Sequence, residues 1–337
     1  QTPAHKALRA TLADLPHRIV YESFRNGNWE LVAIEADGSA PVNLTRTPNR
    51  HELYPHCSPD GTKIAFMADE SGNRGRQRNV YYMNADGTGL TLVAQQAGQP
   101  CWRPDGKAIT YLPLEFGRYS QVESASDGLY QYEPDTRRWY PHSNRTLQHL
   151  YAICWTPDRK WILATIRGAL EYADANLAIE ADGNRIFNLE ALAGCRPDIT
   201  PDGRQITWTA SDHEIVVADL NLQTTPPAVT NIRRVVTCPA THKVYHPDWS
   251  PDGRYIVFSG GPTAGSQAPG MMARGWHIYV ADPQTPNLYV PVTRDGLSNK
   301  EPDWLPAGAG FEPPSATGST ASGPRSESPA GRTGGTN

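Results

Sequence analysis

The chain has no run of eighteen apolar residues, so no segment is long and apolar enough to cross a bilayer as a helix. Its five cysteines, Cys57, Cys101, Cys154, Cys195 and Cys238, are scattered and include no Cys-x-x-Cys. Neither a disulfide framework nor a zinc ribbon can be read from that spacing. Charge of one sign is also missing. Against 35 acidic residues stand 31 basic ones, a net charge of −4, which gives no reason to expect nucleic acid or an anionic membrane as partner. The first residue is Gln1, with no basic or apolar leader after it, and this suits a mature exported protein and equally a trimmed piece of a longer chain. What the chain does contain, 38% hydrophobic residues including 9 Trp and 15 Tyr, is ample for a folded core.

Self-similarity organises that material. Tyr54 to Gly61, Gln99 to Gly106, Ala152 to Arg159, Arg196 to Gly203 and His246 to Gly253 share one plan: a short strand ending at a Trp position, a Pro-Asp-Gly-like turn, and an apolar run such as Lys63 to Phe66 or Tyr255 to Phe258. A sixth copy, Glu301 to Gly308, has no apolar run after it. The equivalent prolines 59, 104, 157, 201, 251 and 306 lie 45, 53, 44, 50 and 55 residues apart, the range of four-stranded propeller blades. Proline presets φ in a type I turn, Asp tolerates the next position and Gly closes it, so two strands meet there. Third strands follow at Val80 to Met83, Glu214 to Val217 and His277 to Val280, and Asp-Gly turns at 37–38, 86–87 and 182–183 lead into fourth strands.

Arg18 to Tyr21 is a second strand with no first strand before it, while Glu301 to Trp304 is a first strand with none after it. Each orphan supplies what the other lacks. The expected fold is an all-β, six-bladed propeller of four-stranded antiparallel blades, closed when the C-terminal strand joins the N-terminal blade. The expected boundaries are an extension at 1–16, a propeller at 17–305 and a Pro/Gly/Ser-rich tail at 306–337. Within the propeller the blades cover roughly 17–45 plus 299–305, 52–95, 97–143, 149–190, 194–237 and 244–294. Arg159 stands where the fourth blade's turn wants Gly, so that turn should be strained. Cys57 and Ile199 replace Trp in blades two and five.

The pattern His246-Pro-Asp-Trp-Ser-Pro-Asp-Gly253 with Tyr255-Ile-Val-Phe258 resembles the TolB-type propeller repeat, over about residues 17 to 305. The resemblance implies a protein-binding or assembly role, with subunits of an envelope complex as the partner class and a periplasmic or secreted location. TolB carries an additional N-terminal α/β domain that residues 1–16 are too few to make, so its particular role does not transfer. Similar repeats occur in a metal-dependent oligogalacturonate lyase, which makes a metal-dependent carbohydrate-active enzyme, with its site at the channel mouth, the alternative. Gly-x-Ser-x-Gly is absent, which excludes an attached serine hydrolase of that type.

Topology sorts the candidate residues. The Pro-Asp-Gly and Asp-Gly turns share one rim, so the longer connections, Ala68 to Asn79, Pro113 to Gly128 and Ser259 to Trp276, fall on the other, where binding usually resides. Partner-contact candidates there are Arg74, Arg76, Arg78, Phe116, Tyr119, Met271, Met272 and Arg274; the ordinary reading of the three clustered arginines is a solvated loop, and Met271 and Met272 could equally fold back as a small local core. The first strand of each blade should be innermost, placing His56, Cys101, Cys154, Asp198, Asp248 and Asp303 in the channel, with Arg196, His246 and Glu301 two positions earlier. The first six are all metal-ligand types. Zinc would take His, Cys and Asp, while calcium would use the three aspartates with water. Polar side chains lining a wet channel without any ion are the ordinary reading, and a Cys101–Cys154 disulfide is a third. No cofactor is required by the sequence.

Overall fold

The computed structural model of the chain describes residues 2–72 and 75–308. The tail beyond 308 and Arg74 lie outside the described residues. Each repeat turn is built as its composition dictates. Gly61 donates to Ser58 O at 2.9 Å across the turn, while Asp60 Oδ1 accepts from Ser58 Oγ at 2.6 Å and from Thr62 N at 3.0 Å. The closing glycines at 61, 106, 203 and 253 all take φ of 68–71°, and Arg159 is forced to 60° in the same place.

These turns join strands into six four-stranded antiparallel sheets. Five are sequential, and the sixth is completed from the far end of the chain. Strand Ser298–Leu305 pairs with Arg18–Arg25, setting Trp304 opposite Ile19 and Leu305 opposite Arg18. The ring is therefore closed. Its cores lie between blades. One joins Val20, Leu31 and Ala33 of blade one to Ile64, Phe66 and Met83 of blade two, and another joins Ile19, Tyr21 and Ile34 to Val257, Ile278 and Val280 of blade six.

Two segments differ from their sequence reading. Residues 3–13, expected only as part of an extension, form the helix Pro3–Ala13, with Thr2 Oγ1 accepting His5 N at 3.4 Å and proline in the first turn. Leu8 and Leu12, one turn apart, bury its inner face against blades one and six. Residues 68–79, expected as a long loop, are instead largely a hairpin: strand Lys63–Gly72 continues to strand Gly75–Asn84, and Asp69 is paired with Arg78.

Candidate functional site

Every inner strand carries the same irregularity. Tyr54, Gln99, Ala152, Arg196, His246 and Glu301 all adopt left-handed φ, between 48° and 61°, and at each one the pairing with the second strand slips. In five blades the next residue is proline, which has no N–H to leave orphaned by the bulge; in blade four it is Ile153. The exposed N–H groups of several left-handed residues are capped from a neighbouring strand or blade. Tyr54 N donates to Glu22 Oε2 at 3.2 Å, Arg196 N to Thr165 Oγ1 at 3.1 Å and Ala152 N to Gln99 Oε1.

Beyond the bulge, His56, Cys101, Cys154, Asp198, Asp248 and Asp303 come together around one cavity of about 410 Å³ at the tight-turn rim, ringed by prolines 59, 104, 157, 201, 251 and 306. Four of the six hold the ring together. Asp198 Oδ2 accepts Trp249 N at 2.7 Å, Asp248 Oδ2 accepts Trp304 N at 3.1 Å, His56 Nδ1 accepts Trp102 N at 3.3 Å, and Asp303 Oδ2 accepts Cys57 N. Each bond passes from one blade to the next. Burial, then the carboxylates of Asp303 and Asp198, push the Asp248 carboxyl well above the ordinary range, so it carries a proton between them. Burial, then Asp198, likewise keeps the Cys154 thiol protonated, and its Sγ lies 3.5 Å from Asp198 Oδ1. All five cysteines are free, which removes the Cys101–Cys154 disulfide reading. Among the described residues no group of three or more His, Cys, Asp and Glu side chains is arranged to hold a metal.

Towards the other rim the axis is filled by charged groups. Arg196 and Glu301 are 3% and 1% exposed, and their side chains approach to 3.6 Å. His246 Nε2 lies 3.2 Å from Glu301 Oε2, with Tyr54 edge-on to its ring at 5.1 Å. Burial, then Arg196, holds His246 well below its usual value, so it is neutral; burial pushes Glu301 up to about 8 against the pull of Arg196.

The residue that sequence reasoning missed is Glu123. Its carboxylate pairs with Arg196 Nη2, and its backbone oxygen accepts Gln99 Nε2 at 3.2 Å. Residues 113–128 thus reach down into the axis. A second loop is seated by Lys300, whose Nζ donates to Ser266 O at 3.2 Å and to Ala268 O and lies 3.5 Å from Glu22 Oε1. Gly270 N donates to that same Glu22 oxygen at 3.0 Å.

Above these seats, the loop candidates divide. Phe116 is 80% exposed at a left-handed φ of 55°, and Met271, Met272 and Arg274 are also exposed. Val122, not singled out from sequence, is exposed too. Arg78 is buried, its Nε and Nη2 donating to Asp69 at 2.7 and 2.9 Å, which leaves it no surface for a partner. Tyr119 bonds Asp69 Oδ2 at 3.0 Å, and the guanidinium groups of Arg76 and Arg78 lie 5.3 and 5.5 Å from its ring centre. Of Arg76, Arg78 and Tyr119, Arg76 alone is exposed.

No family model matches the chain. Two curated TolB homologues resemble part of it: that of Chlorobium luteolum is 34% identical over 99 residues, and that of Chlorobaculum tepidum 37% over 90. The matches cover 29% and 26% of this chain and 22% and 19% of those proteins, so the likeness spans about a fifth of their length. The crystal structure of TolB from Acinetobacter baumannii superposes with a TM-score of 0.61 at 18% identity, covering 86% of this chain and 67% of that one. In its closed ring of six sheets the chain is a six-bladed β-propeller, and its repeat is similar to that of the TolB homologues.

Proposed function

We propose that this propeller is a non-catalytic binding or assembly subunit that holds a protein partner on its long-loop rim, in the periplasm or outside the cell, within an envelope complex. The observation that carries the reading is the contrast between how the two loops are held and what they present. Glu123 and Lys300 anchor them through buried ionic and backbone contacts, while Phe116, Val122, Met271 and Met272 remain in solvent. A rigid seat lowers the ordering cost of association, and exposed aromatic and methionine side chains supply apolar contact area. Arg76 and Arg274 add charge to the same rim. The partial likeness to TolB proteins supports a protein as partner, and the near-balanced net charge argues against nucleic acid. Among the described residues no helix is long and apolar enough to cross a membrane.

The test is recovery of partners from the native envelope with three forms of the full chain: unaltered, carrying Phe116→Ser with Met271→Ser and Met272→Ser, and lacking residues 309–337. The reading requires a defined partner that the rim variant loses. Recovery of the unaltered chain as a lone monomer, or retention of the partner by the rim variant, overturns it; loss only on truncation moves the contact to the tail.

A further inference from the structure

Glu30 and Glu52 lie side by side where blade one hands over to blade two, and neither has an ion pair among the described residues. Glu30 belongs to strand Asn28–Glu35 and Glu52 to the inner strand Arg50–Cys57; they are 6% and 1% exposed. The crossover between those blades runs past both carboxylates, and Thr47 touches each. Its N–H donates to Glu30 Oε2 at 3.3 Å and its hydroxyl to Glu52 Oε1. Thr45 Oγ1 donates to Glu30 Oε2 at 2.5 Å, and Asn28 Nδ2 to Glu30 Oε1 at 3.1 Å and to Thr47 O.

Buried carboxylates are ordinarily paired with a cation. Arg50, two residues before Glu52, is committed elsewhere: its Nε lies 3.3 Å from Glu70 and its guanidinium lies over the Tyr81 ring at 4.7 Å. His51 Nδ1 is occupied by Trp29 N at 3.2 Å.

Two acceptors in the cluster have no hydrogen-bond partner at all, Glu52 Oε2 and Asn28 Oδ1, both buried. The amide nitrogen of Asn28 is on Glu30 and on Thr47 O, and its oxygen is left without a partner. Around them stand the remaining carboxylate oxygens and the hydroxyls of Thr45 and Thr47, with Thr47 N and Asn28 Nδ2 as the nitrogen donors to Glu30.

We propose that Glu30, Glu52, Asn28 Oδ1 and the hydroxyls of Thr45 and Thr47 form a Ca²⁺ site that fastens the crossover to blades one and two. Calcium takes six to eight oxygens at about 2.3–2.6 Å in adaptable geometry, whereas Mg²⁺ demands near-octahedral order and Zn²⁺ favours nitrogen and sulfur. One divalent ion neutralises the two carboxylates, gives both orphaned oxygens a partner and takes water in its remaining positions.

The test uses the full chain stripped with EGTA, then titrated with CaCl₂ or MgCl₂ by calorimetry and followed by thermal unfolding. One Ca²⁺ per chain should bind and raise the melting temperature, with Mg²⁺ much weaker. Glu52→Gln and Glu30→Gln should each weaken Ca²⁺ by at least about tenfold, since affinity follows ligand charge. Glu52→Gln keeps the shape of the buried side chain and takes a carboxyl away from its neighbour Glu30, so its calcium-free form should melt no lower than the unaltered chain, separating a lost site from a lost fold. Asp248→Asn, in the axial cavity, should leave the response intact. Absence of calcium binding in the unaltered chain, binding that survives both glutamine variants, or a response that disappears with Asp248→Asn overturns the proposal.

Discussion

Lys300 Nζ stands 3.5 Å from Glu22 Oε1, and neither side chain has any exposed surface. The pair lies between the closing strand and blade one, under the loop that carries Met271 and Met272. Removing one partner strands the other charge in the interior. Lys300→Met should therefore cost about 3–5 kcal/mol in urea unfolding, and the double change with Glu22→Gln much less than the sum of the two single ones. Additive single effects would show that the two groups do not act as a pair.

Trp304 closes the ring, facing Ile19 across the ladder while its indole Nε1 donates to Asp248 O at 3.2 Å. It is 3% exposed, and truncation would open a cavity between blades six and one. Trp304→Ala should remain monomeric and lose about 3–5 kcal/mol. Deleting 298–305 is a different perturbation, because strand Arg18–Arg25 then offers an unpaired edge. Size-exclusion chromatography should find that variant self-associated; a stable, well-dispersed monomer would show that closure is dispensable.

The ring was legible because its information is local and repeated. Pro59-Asp60-Gly61 and its copies mark turns by their own chemistry, and the two incomplete repeats at Arg18 and Glu301 could only complete each other. The bulges were legible in hindsight, since a proline follows Tyr54, Gln99, Arg196, His246 and Glu301. So was the first helix, where Thr2-Pro3 precedes an alanine-rich segment with Leu8 and Leu12 one turn apart. Glu123 was not, because nothing in its surroundings states that a loop from blade three will meet Arg196 of blade five. Arg78 misled for a related reason. A cluster of arginines reads as solvated until strand pairing places one of them over Asp69.

Asp248 makes stability fall with rising pH. Its carboxyl is held well above the ordinary value by burial and by Asp303 and Asp198, so the folded chain keeps a proton that the unfolded chain has released. Between the ordinary carboxylate value and that raised value, unfolding takes place with proton loss, and stability declines by up to about 1.4 kcal/mol per pH unit. Asp198, itself raised by burial, adds in the same direction. Asp248→Asn stays neutral and can still accept Trp304 N, so its stability should be flatter from pH 5 to 8 than that of the unaltered chain in paired urea titrations. Parallel curves would show that Asp248 is already ionised there.

Glu123 links the axis to the proposed binding rim, and its removal tests that link without touching an exposed apolar residue. Glu123→Ala leaves Arg196, with 2% of its side chain exposed, facing Glu301 alone at 3.6 Å. The expected cost is about 3 kcal/mol or less, because the Glu123 side chain is not fully enclosed. Hydrogen exchange should accelerate selectively across residues 114–127. Glu115→Ala on the same loop removes only a partly exposed contact to His149 at 3.7 Å, and should change stability by no more than about 0.5 kcal/mol. If the rim holds a partner through a pre-seated loop, Glu123→Ala must also weaken partner recovery while Glu115→Ala does not. Equal exchange in the two variants would mean that Arg196 does not hold the loop.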